Sequence, residues 1–206
     1  AFGSTLSMRG TELLVGAPGS NRSRGVVYAY EWQTDGSWAP KRTIRLTDGE
    51  VGDRFGSGIA HADSAVWIGA PAQRDNEIGS TYVYDFNDDG LMSDTPRRIQ
   101  LENTVERDWF GNAIYADGDM IVVSSPGMHH QSGALVAYSS ATPDGQRLFS
   151  LPDGLAEMSG EERECIDGKI GPFDCDDVEL LSFVPNTILR AGESSRGVRT
   201  NDNWGW

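Results

Sequence analysis

The sequence predicts an all-β fold of repeated four-stranded sheets, a β-propeller in class, and three observations predict it. The pair Phe-Gly recurs at Phe2-Gly3, Phe55-Gly56 and Phe110-Gly111, at spacings of 53 and 55. Gly16-Ala17-Pro18 and Gly69-Ala70-Pro71 follow the first two pairs by 14 positions, and Ser124-Ser125-Pro126 takes that place in the third copy. Gly25, Gly79 and Gly133, each 54 apart, open short runs that end in tyrosine at Tyr30, Tyr84 and Tyr138. A fixed period with four short β-rich segments per copy, and no helical periodicity over residues 1–150, is the signature of propeller blades.

Each element follows from its residue types. The first strand of a copy starts just after Phe-Gly. The second is the compact apolar run before Gly-Ala-Pro; it does not alternate, so it reads as buried on both faces. The third, of the Val26 to Tyr30 type, is rich in β-branched and aromatic residues. The fourth alternates, with Ile44 and Leu46, Ile99 and Leu101, and Phe149 and Leu151 on one side; its arginines Arg42, Arg45, Arg97 and Arg98 suit a solvated outer edge. Turns are expected at Arg9-Gly10, Asp35-Gly36, Asp89-Gly90, Asp117-Gly118 and Asp144-Gly145. In the motif itself, glycine permits close backbone approach or positive φ, and proline ends the strand. The Phe of Phe-Gly is expected between neighbouring sheets, with Asp53 and Asp108 capping the turn that leads into it. The three copies are placed at about 1–54, 55–109 and 110–154, and residues 155–206 form a separate acidic segment.

The bulk properties narrow the function classes. The 206 residues carry a formal charge of −14, which repels phosphate backbones and excludes a nucleic-acid partner. That charge suits solubility, cation binding or a basic partner. No apolar run approaches the roughly 20 residues of a membrane span. The chain starts directly on Ala1-Phe2-Gly3, with no leader in view. Its two cysteines, Cys165 and Cys175, lie ten positions apart with no histidine nearby, a poor zinc site. A disulfide closing that short loop would contribute about 2.8 kcal/mol and implies an oxidising compartment; two free thiols in a cytosolic chain is the alternative.

With the motifs in place, the joint pattern of Phe-Gly, Gly-Ala-Pro and Gly-x-Val-Tyr-x-Tyr resembles the bacterial FG-GAP repeat, related to the propeller of integrin α chains. The stretch Leu46-Thr47-Asp48-Gly49 to Gly52-Asp53-Arg54-Phe55-Gly56 is part of that resemblance. It covers residues 1 to about 154 and implies propeller blades, here three of a larger set. Many integrin-type repeats hold calcium between Phe-Gly and Gly-Ala-Pro. This chain has no Asp-x-Asp-x-Asp-Gly in that interval, so the role does not carry over. A calcium-like string does occur at Asp85-Phe86-Asn87-Asp88-Asp89-Gly90, making Asp85, Asn87 and Asp89 weak calcium candidates. Its twelfth position is Pro96 instead of a bidentate Glu, and the equivalent turn Glu31 to Gly36 lacks the ligands, so a plain hairpin also explains it.

The segment after residue 155 loses the repeat. Cys165-Ile166-Asp167-Gly168, Phe173-Asp174-Cys175-Asp176-Asp177 and the closing Asn201-Asp202-Asn203-Trp204-Gly205-Trp206 resemble the opening of the choice-of-anchor B family of secreted or surface-anchored bacterial proteins. There, this order leads into a second propeller of LVIVD-type repeats, so the resemblance implies further blades outside this chain. The residues themselves also allow a solvated turn beside a disulfide, with a short helix over Val178 to Phe183.

No catalytic motif stands out. His129-His130 is an adjacent pair whose side chains point in opposite directions on an extended chain, and His61 is isolated. No nucleophile elbow, zinc-protease helix or phosphate loop occurs. The expectation is a non-catalytic extracellular, periplasmic or cell-surface module, with no required cofactor, that binds other protein chains or further blades of the same protein. The alternative is a hydrolase with a carboxylate pair in the channel or on one face of a complete propeller.

Overall fold

The computed structural model describes residues 1–72, 78–101, 107–128, 133–139, 142–150, 164–166, 169–170 and 173–174. Each copy of the repeat is one antiparallel sheet whose strands pair in chain order. The first holds β1 (Thr5–Arg9), β2 (Glu12–Ala17), β3 (Val26–Trp32) and β4 (Trp38–Ile44). The second holds β5 (Ile59–His61), β6 (Ala65–Ala70), β7 (Ser80–Asp85) and β8 (Arg97–Ile99). The third holds β9 (Ile114–Asp117), β10 (Met120–Ser125), β11 (Ala134–Ser139) and β12 (Thr142–Ser150). All three lie in one unit, Ala1–Ser150. The other unit, Leu151–Trp206, contains the short hairpin of β13 (Lys169–Ile170) and β14 (Phe173–Asp174). The three sheets are consistent with propeller blades, fewer than the roughly 4–8 that close a ring.

Side-chain alternation sends one face of the second sheet towards the first and the other towards the third. Leu14, Val27, Ala29 and Ile44 of the first sheet meet Ile59, Val66, Ile68, Tyr82 and Tyr84 of the second. Trp67 and Val83 of the second meet Ile121, Val123, Val136 and Tyr138 of the third. Every residue of β6 is therefore buried, as its unalternating sequence predicts. In β10 burial alternates, because its far face meets no further sheet among the described residues. The innermost strands adjoin, β1 beside β5 and β5 beside β9.

The Phe-Gly motif locks the sheets together. Phe55 and Phe110 are fully buried, each in the core between two sheets. Phe55 meets the Tyr82 ring edge-on at 5.9 Å. Its amide donates to the Arg24 carbonyl at 3.1 Å, and Arg54 donates to Ser23 at 2.8 Å. Those carbonyls are presented by one tight left-handed turn, with Asn21, Arg22 and Ser23 all at positive φ. The turn costs roughly 1–2 kcal/mol per non-glycine residue, so the docked strand must offset it. Gly56 follows at φ +89, a conformation that strains any L side chain. Its carbonyl lies so near Gly16 that a Cβ there would sit 2.2 Å away; a Cβ on Gly69 would meet the Gly111 oxygen at 1.8 Å. Asp53 is buried and its Oδ2 accepts from the Glu50 amide at 2.7 Å, the cap its position suggests.

One expected turn is not a turn. Ser139 pairs with Thr142, so the chain has already reversed before Asp144-Gly145. That dipeptide sits inside β12, in a stretch where the register with β11 shifts. A bulge, like a turn, favours glycine, which is why the dipeptide signal is ambiguous.

Two substitutions separate packing from exposure. Phe55→Ala should cost about 3–5 kcal/mol in urea unfolding, whereas Phe2→Ala, at a ring 60% exposed, should cost under about 1 kcal/mol. Gly69→Ala, at ordinary φ, should cost about 3 kcal/mol through the clash alone. Equal losses for Phe55 and Phe2 would contradict the interlocking described above.

Candidate functional site

Two clefts flank the junction of the first and second sheets. The first, of about 610 Å³, lies at the β1–β2 turn and carries two acids with lowered pKa, Glu12 and Glu31. Glu12 and Glu31 sit directly opposite each other on β2 and β3, a like-charge pair that destabilises a sheet. Lys41 from β4 resolves it, with Nζ 2.9 Å from Glu12 and 3.0 Å from Glu31. His61 on β5 comes from the neighbouring sheet. Its Nε2 lies 3.6 Å from Glu12 Oε2, an ionic approach when the ring is protonated. Its Nδ1 is 2.8 Å from Ser7 Oγ on β1, which also accepts from the His61 amide at 3.1 Å. The His61 ring first, then Lys41, hold the Glu12 carboxyl down to about 2 against the opposing effect of burial. A hydrogen bond from Thr11, then one from Lys41, lowers Glu31 as well. Arg9 lies over the Phe86 ring at 4.6 Å, another link between the two sheets.

The second cleft, about 540 Å³, opens between β4 and β8. Its floor includes Tyr82 and Tyr84, and burial pushes the Tyr84 hydroxyl well above its ordinary value. Its rim carries Arg42, Arg45 and Arg98.

Two of the three weak calcium candidates hold contacts within the second sheet. Asp85 holds Arg97 through two hydrogen bonds, at 2.9 and 3.0 Å. Asn87 Oδ1 accepts from the Leu91 amide at 2.8 Å, and the backbone of Asn87 pairs with Leu91 at 2.9 Å, closing a hairpin. Asp89 is exposed at its tip. Among the described residues no three His, Cys, Asp or Glu side chains gather as a metal site requires. Of the repeat residues, Phe55, Phe110, Ala17 and Ala70 are buried, while Phe2 is exposed and rests on Tyr28 at 5.5 Å. Cys165 is half-buried; Cys175, His129-His130, Asp176, Asp177, Trp204 and Trp206 lie outside the described residues.

Ser7, Glu12, Glu31 and Lys41 were not singled out by sequence reasoning. One signal was present: Ser7 and His61 are 54 residues apart, the period of the repeat. Residues one period apart fall on adjoining innermost strands, so a polar pair there is a candidate contact between sheets.

The fold is thus that of an all-β repeat protein built from interlocked four-stranded sheets. Residues 38–84 match the FG-GAP repeat family. The matched span runs from β4 of one sheet through β7 of the next, so it contains the Phe55 junction. No curated protein matches the chain. No helix among the described residues is long and apolar enough to cross a membrane.

The charge network predicts a pH dependence. A carboxyl lowered from 4.5 to about 2 contributes stability that is complete above pH 4.5 and is lost as pH falls towards 2. Urea unfolding from pH 6 to pH 2.5 should show this acid limb, and Glu12→Gln should flatten it; an unchanged limb would assign it to other carboxylates. Lys41→Met, which leaves Glu12 facing Glu31, should lower stability by about 1 kcal/mol at pH 7.

Proposed function

We propose that the chain is a non-catalytic, extracellular or cell-surface binding module of the integrin-like FG-GAP type, whose terminal sheets dock other protein surfaces or further blades. The observation that carries this reading is the asymmetry between interior and terminal sheet faces. Ile59, Tyr82 and Tyr84 are buried against the first sheet. Their counterparts on the first sheet, Leu6, Tyr28 and Tyr30, are more exposed, and Phe2 and Met8 stand at 60% and 65%. On the third sheet Tyr115 stands at 67% and Leu135 is also exposed. Contiguous apolar surface of this kind marks an interaction face. In this reading the segment from residue 155 follows the choice-of-anchor B pattern, with Cys165 and Cys175 paired, and calcium is not required. The interlock around Ser7, His61 and Glu12 serves to hold two sheets together, not to turn over substrate.

Hydroxyl-radical footprinting tests the docking role. In the native surface protein, Phe2, Met8 and Tyr115 should be oxidised at least fivefold more slowly than in the isolated chain, while the outer-hairpin Trp32 and Trp38 should not change. Equal oxidation of all five in both forms would remove the reading.

A further inference from the structure

We propose that the groove between β4 and β8 binds a small carboxylate-bearing sugar, a uronic acid in chemical class. The groove follows from the geometry of the fold. The innermost strands adjoin, so Phe55, Ile59 and Ile68 fill the space between the first two sheets near β1 and β5. Further out β4 and β8 diverge and leave about 540 Å³, within the roughly 300–1,000 Å³ of small-molecule sites.

Its charge is opposite to that of the chain. Register places Arg42 opposite Ala29 on the face of β4 that meets the second sheet. Arg98 lies opposite Tyr82, on the face of β8 that meets the first sheet. Arg45 follows β4 on the same rim. Two carboxylates, Asp48 and Asp94, line the same groove, so the three arginines leave it a net positive charge. Among the described residues Arg42 forms an ion pair with Asp94 alone, at 3.5 Å, and that carboxylate is fully exposed. Arg98 donates to the neutral Gln100 amide oxygen. Arg45 has no carboxylate partner among the described residues. The neighbouring Arg97, on the opposite face, is by contrast fully engaged by Asp85. Guanidinium groups facing each other across a cleft suit a planar carboxylate.

The remaining lining selects among carboxylates. Thr47 and Thr95 supply hydroxyls, the Ser93 hydroxyl donates to the Thr95 carbonyl at 3.1 Å and keeps its lone pairs free to accept, and Asp48 supplies an acceptor for ligand hydroxyls. Ile44 and Met92 form a buried apolar base. That combination suits a ring with several hydroxyls and one acid. A long polyanion is disfavoured, since a net charge of −14 repels it beyond contact range, whereas one carboxylate within contact of the arginines keeps its pairing.

The proposal does not need the docking role above, and its test separates the two. Glucuronate is titrated into the full chain at low salt and followed by amide chemical shifts. Saturable binding is expected with a dissociation constant on the order of 1 mM, by ligand size. Shifts should centre on Thr43 to Thr47 and Ser93 to Arg98. Arg45→Glu with Arg98→Glu should weaken binding at least tenfold. Arg45→Gln with Arg98→Gln serves if charge reversal disturbs the edge strands. Arg22→Glu, on the distant left-handed turn, should leave binding unchanged. Glucose should not bind, and acetate should bind at least tenfold more weakly. The proposal is overturned if glucose or acetate matches glucuronate, if the paired variants bind normally, or if Arg22→Glu weakens binding equally. It is equally overturned if a triglutamate peptide occupies the groove and glucuronate does not. A failure here would leave the footprinting result standing.

Discussion

The structure of the first unit depends on one backbone contact, the approach of a Phe-Gly peptide to the glycine of the preceding Gly-Ala-Pro. A carbonyl oxygen that would lie 2.2 Å from a Cβ at Gly16 leaves no room for any side chain there. Closeness at this point brings β1 beside β5 and carries Phe55 into the core between the sheets. The left-handed turn before Gly25 serves the same contact, because it presents the carbonyls that Arg54 and Phe55 require. Glycine, left-handed turn and buried ring therefore form one device rather than three independent motifs.

Electrostatics is built on that frame. Bringing two sheets close at their inner strands places His61 beside Ser7 and Glu12, and Lys41 relieves the facing glutamates. The same wedge shape that buries these groups near the inner strands leaves the outer arginines apart and solvated. One geometric cause thus produces a close charge network at one cleft and a looser set of cations, with Arg42 at 3.5 Å from an exposed Asp94, at the other.

Much of this was legible in the sequence because the repeat reports on packing three times over. The recurrence of Phe-Gly marked the interlock, and the unalternating run of β6 marked its burial on both faces. Asp53 two residues before Phe55 marked the cap. What was not legible has physical reasons. Asp144-Gly145 favours a turn and a bulge alike, and only pairing partners distinguish them. Asp85 has the chemistry of a calcium ligand, and only the fold shows that Arg97, twelve residues on, donates to both its oxygens. The clefts join residues from two sheets, and sequence gives no distance between Arg45 and Arg98.

The third copy shows how a single atom can change what a repeat accepts. Ser124 stands where Gly16 and Gly69 stand in the other copies, and its Oγ accepts from the Ala113 amide at 2.9 Å. Its Cβ occupies the space into which the Gly56 and Gly111 oxygens project in the first two junctions. A surface seated on the third sheet cannot approach by the same peptide without displacing that side chain. Contact there must rest on side chains such as Tyr115 and Leu135 instead of on backbone. The two terminal faces are therefore different in kind. The first presents a Phe-Gly peptide whose partner needs only a glycine, with Gly3 at φ +83 and open space around it. The third presents an apolar surface from which the glycine has been removed. A surface that fits one face would not fit the other, so docking of the proposed kind through them would have a defined direction.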